Sequence, residues 1–220
     1  MEVDAAWPWK ILWGDEAHFY LNGTMNTQNC RIWNDKSPHA SQQFPYIHQP
    51  VWCGFTAEFI VGPFFYENIT PTGPETCSVT GEKYRHMLNS FVIPALQQRQ
   101  CLGEIIFMQD GAPPHVAVRV QQMLRQNFTT ETVISRYFPT AWPPRSPDLT
   151  PYDFWLWGYL KSKVYQGVVQ DLATLKDNIS RTVRKIPADM LLSAVVHTVN
   201  RMQYVVHNNG SHIEPHLNAK

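Results

Sequence analysis

The sequence carries no excess of either charge. Its 18 Lys and Arg balance 18 Asp and Glu, and charged residues make up only 16% of its 220 positions. The overall basic bias that announces many nucleic-acid-binding proteins is therefore missing. Also missing is an apolar run of about 20 residues, the length that a membrane-spanning helix needs. No signal peptide is visible at Met1, so an intracellular protein with reduced thiols is expected. The four cysteines, Cys30, Cys53, Cys77 and Cys101, form no Cys-x-x-Cys and no zinc-type pairing with histidine. Internal repeats and low-complexity blocks are absent as well. In an intracellular protein the sequons at Asn22 and Asn68 are chance matches.

What is present is apolar and aromatic, with 44% hydrophobic residues and 13% Phe, Trp and Tyr. A chain of this size buries a sizeable core and is expected to form one domain over residues 1–220. Neutrality conceals a split. Met1 to Thr80 holds 3 Lys/Arg against 8 Asp/Glu, and Gly81 to Lys220 holds 15 against 10. Only the second part suits phosphates, although a solvated face explains the split equally well.

The most informative stretch runs from Glu104 to His115. Ile105 to Met108 is an apolar run of strand length, which suits a strand covered on both faces. It reaches Asp110 just before Gly111, Pro113 and Pro114 stop the ladder. A carboxylate at that point is fixed by rigid backbone yet open to solvent, as a metal ligand or general base would be. The plainer alternative is a turn aspartate bonding its own backbone.

Elsewhere, Trp9–Trp13 and His18–Leu21 read as two strands, separated by Gly14-Asp15-Glu16 and followed by an Asn22-Gly23 hairpin signal. Val51–Phe55 and Glu58–Tyr66 read as a hairpin pair, and Ile69–Thr80 as a loop. A helix is predicted over Glu82–Gln98, kinked or shortened by Pro94. Val116–Asn127 follows as a helix and Thr132–Ser135 as a short strand. The connector Trp142–Pro151 leads into a helix start, with Thr150 as N-cap, Pro151 at the first position and Asp153 in the first turn. That helix continues to Val164. Two amphipathic helices near Leu172–Lys185 and Ala188–His207 complete an α/β layout, a mixed sheet of about five strands flanked by helices.

In such a sheet Asp15 and Asp110 come to one edge when their strands are neighbours, and the helix after the connector lays Asp153 over them. Three carboxylates that close take up protons unless a divalent cation offsets their charge. All-oxygen ligation suits Mg²⁺ or Mn²⁺. Two such ions about 3.5–4 Å apart activate a water or a 3′-hydroxyl and stabilise the leaving oxygen of a phosphodiester displacement.

Asp15-Glu16-Ala17-His18-Phe19, Gln109-Asp110-Gly111-Ala112-Pro113-Pro114-His115 and Ser146-Pro147-Asp148-Leu149-Thr150-Pro151-Tyr152-Asp153 together resemble the three catalytic segments of a mariner-like transposase. Trp142-Pro143-Pro144-Arg145, Asn26 to Trp33 and Val51-Trp52-Cys53-Gly54 extend the resemblance over nearly the whole chain. It implies a ribonuclease H-like fold with extra C-terminal helices, and a DNA nuclease and strand-transferase using two Mg²⁺ or Mn²⁺ ions. It further implies a homodimer acting on terminal inverted repeats and target DNA, hence nuclear residence and no membrane. Asp15, Asp110 and Asp153 become the catalytic metal ligands, residues 25–50 the loop that clasps the partner, and residues 187–220 the C-terminal helix and tail.

Three departures stand out. The family's N-terminal helix-turn-helix DNA-binding region is not in this chain, which keeps open a domesticated or decayed module that binds DNA or protein without cutting. Gly14 replaces the family's usual Ser or Thr and is expected to loosen the turn at Asp15. The long interval after Asp110 makes Asp148 a rival third ligand; Asp153 is preferred because it sits on the helix. His115 (steering a phosphate or orienting Asp110), Arg145, Lys161 and Lys163 are further candidates for contact with nucleic acid. Trp155, Trp157 and Tyr159 read as core. A carboxylate-pair glycoside hydrolase would require an aromatic sugar cleft in place of the Gly/Pro turn.

Overall fold

The computed structural model describes residues 6–21, 23, 47–144 and 146–210. Strands β1 (Ile11–Tyr20), β2 (His48–Phe55), β3 (Ile60–Phe65), β6 (Ile106–Met108) and β7 (Val133–Ile134) form the main sheet. Their order is β3-β2-β1-β6-β7. The first three are antiparallel, and β6 and β7 run parallel to β1 and to each other, so the sheet is mixed.

Side chains alternate across each strand, and the two faces have separate cores. Ile11, Trp13, Ala17 and Phe19 join Val51 and Phe55 under α4 (Trp157–Val164), α5 (Leu172–Arg184) and α6 (Ala188–His207). Leu12, Trp52 and Phe107 pack under α1 (Gly81–Met87), α2 (Ile93–Gln98) and α3 (Val118–Asn127). Short β6 sends Phe107 to one core and Met108 to the other, which is why its sequence is continuously apolar. No helix of the described residues is long and apolar enough to cross a membrane.

Several local expectations give way to tertiary pairing. The two strands read around Gly14-Asp15-Glu16 are one ten-residue strand, so Asp15 sits mid-strand with no turn beside it. Trp9 belongs to a 3₁₀ turn, Trp7–Lys10, that precedes it. The reason is continuous pairing with β2, in which Gly14 opposes Gly54 and Asp15 opposes Cys53. The two glycines lie beneath the buried Trp52 indole: a Cβ on Gly14 would stand 3.1 Å from its ring and one on Gly54 2.5 Å. Gly14 thus makes room for Trp52 and loosens no turn.

The expected loop at 69–80 contains a small hairpin, β4 (Glu67–Thr70) with β5 (Gly73–Thr76). Pro94 neither breaks nor shortens its helix. A π-helical turn, Leu88–Val92, joins α1 to α2, with the Ile93 N–H donating to Leu88 O. This wider turn accommodates the N–H that proline lacks and the crowding of its ring against the preceding turn. The last three residues of the range expected for the clasp, His48–Pro50, belong to β2. Residues 25–46 of that loop, Asn22 of the hairpin signal, Cys30, Arg145 and the tail from residue 211 lie outside the described residues.

Gly54→Ala should lower stability by about 1–3 kcal/mol through overpacking against Trp52. Gly103→Ala, where a Cβ meets nothing within 4 Å, should stay within about 0.5 kcal/mol. Urea unfolding of both variants measures the difference.

Candidate active site

Asp15 points to the face covered by α4, because alternation groups it with Trp13 and Ala17. Its Oδ2 accepts a hydrogen bond from Trp157 Nε1 at 2.8 Å. Asp153 lies in a π-helical turn, Tyr152–Leu156, that leads into α4. The preceding residue anchors this turn. The buried Tyr152 hydroxyl is shared between Trp13 O on β1 (3.0 Å) and Cys53 O on β2 (2.9 Å). That bond fixes the start of the helix over the strand carrying Asp15.

Asp110 comes from the opposite direction, two residues beyond β6. The preceding Gln109 is fully buried and ties the loop down. Its Nε2 donates to His115 O (2.9 Å) and Ser135 Oγ (3.1 Å), and its Oε1 accepts from Tyr84 Oη (3.0 Å). Asp110 Oδ1 accepts from its own loop at Ala112 N, 3.0 Å, so the plain turn role is real. It is not the whole role, because His115 Nδ1 meets the same oxygen at 2.5 Å.

His115 is 2% exposed, and its other nitrogen lies 2.8 Å from Glu16 Oε2. Glu16 Oε1 in turn accepts from Tyr66 Oη at 3.0 Å, and the Tyr84 ring lies 4.2 Å from the imidazole. Burial opposes charge on His115, but Glu16 and Asp110 outweigh it and push its pKa up to about 10. It is an imidazolium donating to a carboxylate at each end. Both nitrogens are engaged, so of its two expected roles the arrangement matches orienting Asp110 and leaves no donor for a phosphate.

Asp15 feels both of the other aspartates, and Asp153 feels Asp110. Burial first, then Glu16, then Asp153 and Asp110 push Asp15 up to about 8, against the lowering effect of the Trp157 hydrogen bond. Burial and the Asp110 carboxylate push Asp153 up to about 6, with Lys161 opposing. For Asp110 burial raises the pKa, but the His115 hydrogen bond and charge bring it below the ordinary value. Asp110 and Asp153 open onto a cleft of about 510 Å³ walled also by Arg136, Trp142, Ser146 and Thr150. Asp148 is not on that wall. It is buried in a 3₁₀ turn, Pro147–Leu149, whose Asp148 carbonyl accepts from Arg201 at 2.9 Å.

Among the described residues no three His, Cys, Asp or Glu side chains already form a ligand shell. One oxygen of Asp15 is engaged by Trp157 and one oxygen of Asp110 by His115. The donor chemistry nevertheless fits a hard divalent cation: all-oxygen carboxylates, two of which, Asp15 and Asp153, have raised pKa values that record the like-charge strain and burial such a cation relieves.

Lys161 is half-buried near Asp153, with its ammonium 5.9 Å from the Phe19 ring, and burial lowers its pKa. Lys163 is exposed and lines a different cleft. Trp157 is core as expected, and also a partner of Asp15. Glu16, Trp157 and Arg136 were missed as site residues. For Glu16 the signal existed: on one continuous strand, alternation sends neighbouring acids to opposite faces of the sheet.

Removing the imidazolium leaves two partly buried carboxylates uncompensated, so His115→Ala should cost on the order of 3–5 kcal/mol in urea unfolding. Asp15→Asn should act the other way. The folded carboxyl holds its proton up to about pH 8, whereas the unfolded one loses it near pH 4. The folded state binds more protons between those values, so wild-type stability falls as pH rises through them. The thermal advantage of Asp15→Asn in EDTA should therefore grow from pH 4 to pH 8, by about 2–4 °C for each kcal/mol relieved.

No family model matches the sequence, and no curated protein does. Solved structures do resemble it. The crystal structure of the catalytic domain of Mos1 mariner transposase aligns at a TM-score of 0.69 and 17% identity, over 95% of this chain and 86% of that one. The Mos1 catalytic domain with raltegravir and Mn aligns at 0.68 and 16%, over 95% and 87%. The Mos1 paired-end complex with the left transposon end aligns at 0.70 and 18%, over 94% of this chain but 57% of that one. This chain thus spans little more than half of the protein in that complex. The chain has the ribonuclease H-like fold of a mariner transposase catalytic domain.

Proposed function

We propose that the chain is a metal-dependent mariner-like transposase catalytic domain, hydrolysing phosphodiester bonds at element ends and joining the freed strands to target DNA. The observation that supports this reading is that Asp110 and Asp153 line one cleft and that both, after burial and Glu16, raise the proton affinity of Asp15. Mos1 structures that align with this chain hold Mn or Mg, and others hold transposon ends. Mg²⁺ or Mn²⁺ held by Asp15, Asp110 and Asp153 would supply Lewis acidity to the attacking and leaving oxygens. A two-ion site, a homodimer, terminal inverted repeats as substrate and a nuclear location belong to the same reading.

The chain's own residues prepare that chemistry. Tyr152 and Gln109 fix the backbone on either side of the cleft. His115 engages one oxygen of Asp110, and Asp110 lines the cleft. Arg136, on the cleft wall with Asp110, offers a guanidinium to a phosphate. Trp142 packs edge-on against Trp13, 5.7 Å between ring centres, and seats the connector on the sheet.

Incubation with Mg²⁺ and a duplex carrying the cognate ends should yield a nick that Asp110→Ala abolishes. Because Asp153 and Asp15 must shed protons near pH 6 and pH 8 before binding a cation, Mn²⁺ affinity read by electron paramagnetic resonance should strengthen over that range. Equal cleavage by both proteins would show that it does not depend on the carboxylate site and remove support for catalysis there, and cleavage by neither would leave a binding module without nuclease activity.

A further inference from the structure

A second cleft, of about 510 Å³, lies between the end of α4 and the length of α5. Lys163 enters it from α4, and Arg181 and Lys185 from α5 or just after it. Asn178, Thr174 and Thr182 add polar groups, and among the described residues no acidic side chain lines it. The cations are exposed. Arg181 pairs with Asp177 one turn earlier, outside the cleft lining, and so exposed a pair contributes little. Other candidates carry less. The apolar grooves along α6, around Trp155 and Met190 and around Trp7 and Val206, hold nothing that identifies an occupant.

Three cations from two helices on an acid-free wall describe a polyanion surface, and its position says which polyanion. Helix α4 carries Asp153 just before its start and Lys163 near its end. At about 1.5 Å of rise per residue these lie about 15 Å apart along the axis. That is the length of about four base pairs at roughly 3.4 Å each. We propose that this cleft grips the phosphate backbone of duplex DNA a few base pairs from the phosphodiester at the carboxylate site. The choice of DNA rests on the function proposed above; the cationic wall does not. It also gives the excess of basic residues after Gly81 a place to act.

The test is binding, made in EDTA so that cleavage plays no part. A fluorescent duplex of about 30 base pairs is titrated with the protein over a series of KCl concentrations. Each phosphate contact contributes roughly 0.9 to the slope of log K against log salt. The triple variant K163Q/R181Q/K185Q should lower that slope by about 2–3 and weaken binding about tenfold or more at low salt. A control of equal charge change on the other side of the sheet, K83Q/R99Q/R119Q, should bind as wild type does, and thermal melting checks that both fold.

Equal losses in the two variants would mean diffuse attraction and overturn the proposal. So would no loss in the first, no binding by wild type, or tight binding to anionic lipid vesicles with indifference to DNA. If wild type fails to nick yet the triple variant alone loses DNA, the catalytic reading falls and the surface stands. If wild type nicks and the triple variant binds normally, the reverse holds.

Discussion

A buried imidazolium between two carboxylates is the constraint on which the rest of the site depends. His115 reaches Glu16 on one side and Asp110 on the other, across a sequence gap of 99 residues for the first contact. Asp110 follows β6, Glu16 lies on β1, and β1 pairs with β6 in parallel. The ion pair therefore stitches the loop after β6 to the strand beside it. Without this charge two acids would face each other in a partly buried space, where like charges cost most. With it, Asp110 is ionised and oriented, while Asp15 on the opposite face has, among the described residues, no cationic partner of comparable closeness and keeps its proton to about pH 8. The site thus combines one acid prepared by the protein with one left for something else to neutralise.

This asymmetry follows from alternation along β1. Neighbouring acids on a strand cannot share a face, so Glu16 is committed to the core that contains Tyr66 and Tyr84, and Asp15 to the one under Trp157. Glu16 acts on Asp15 through space, raising its proton affinity without approaching the cleft. Removing Glu16 would unsettle both ends of the arrangement, because His115 would lose the partner that contributes most to its charge.

Much of this was legible before any coordinates. The apolar run before Asp110, the proline-studded connector and the helix start around Asp153 were readable from periodicity and turn chemistry. They put Asp110 just after a buried strand and Asp153 at a helix start, and the structure has β1 beside the strand before Asp110. Where reading failed, long-range pairing had overridden local signals. Gly14-Asp15-Glu16 has the composition of a turn, yet the β2 ladder and the Trp52 indole above Gly14 and Gly54 hold it extended. Pro94 has the composition of a break, yet a single π-helical turn absorbs it. The Glu16–His115 contact leaves no local trace, since nothing in either neighbourhood reports a partner so distant in sequence.

The distribution of cations needs an explanation beyond helix physics. Positive charge at a helix C-terminus is favourable in itself, because unpaired carbonyls carry partial negative charge there. That accounts for Lys161 and Lys163 at the end of α4, and for Arg181 and Arg184 at the end of α5, one helix at a time. It does not account for Lys163, Arg181 and Lys185 sharing one concave, acid-free wall while Lys161 turns away toward Asp153 and Phe19. Dipole stabilisation is satisfied by any orientation around the helix. Convergence from two helices onto one wall requires a particular face of each, and its consequence is a field directed at whatever lies in the cleft. The protein therefore keeps opposite charges at the two ends of a single helix: the Asp153 carboxylate just before its start and the Lys163 ammonium near its end.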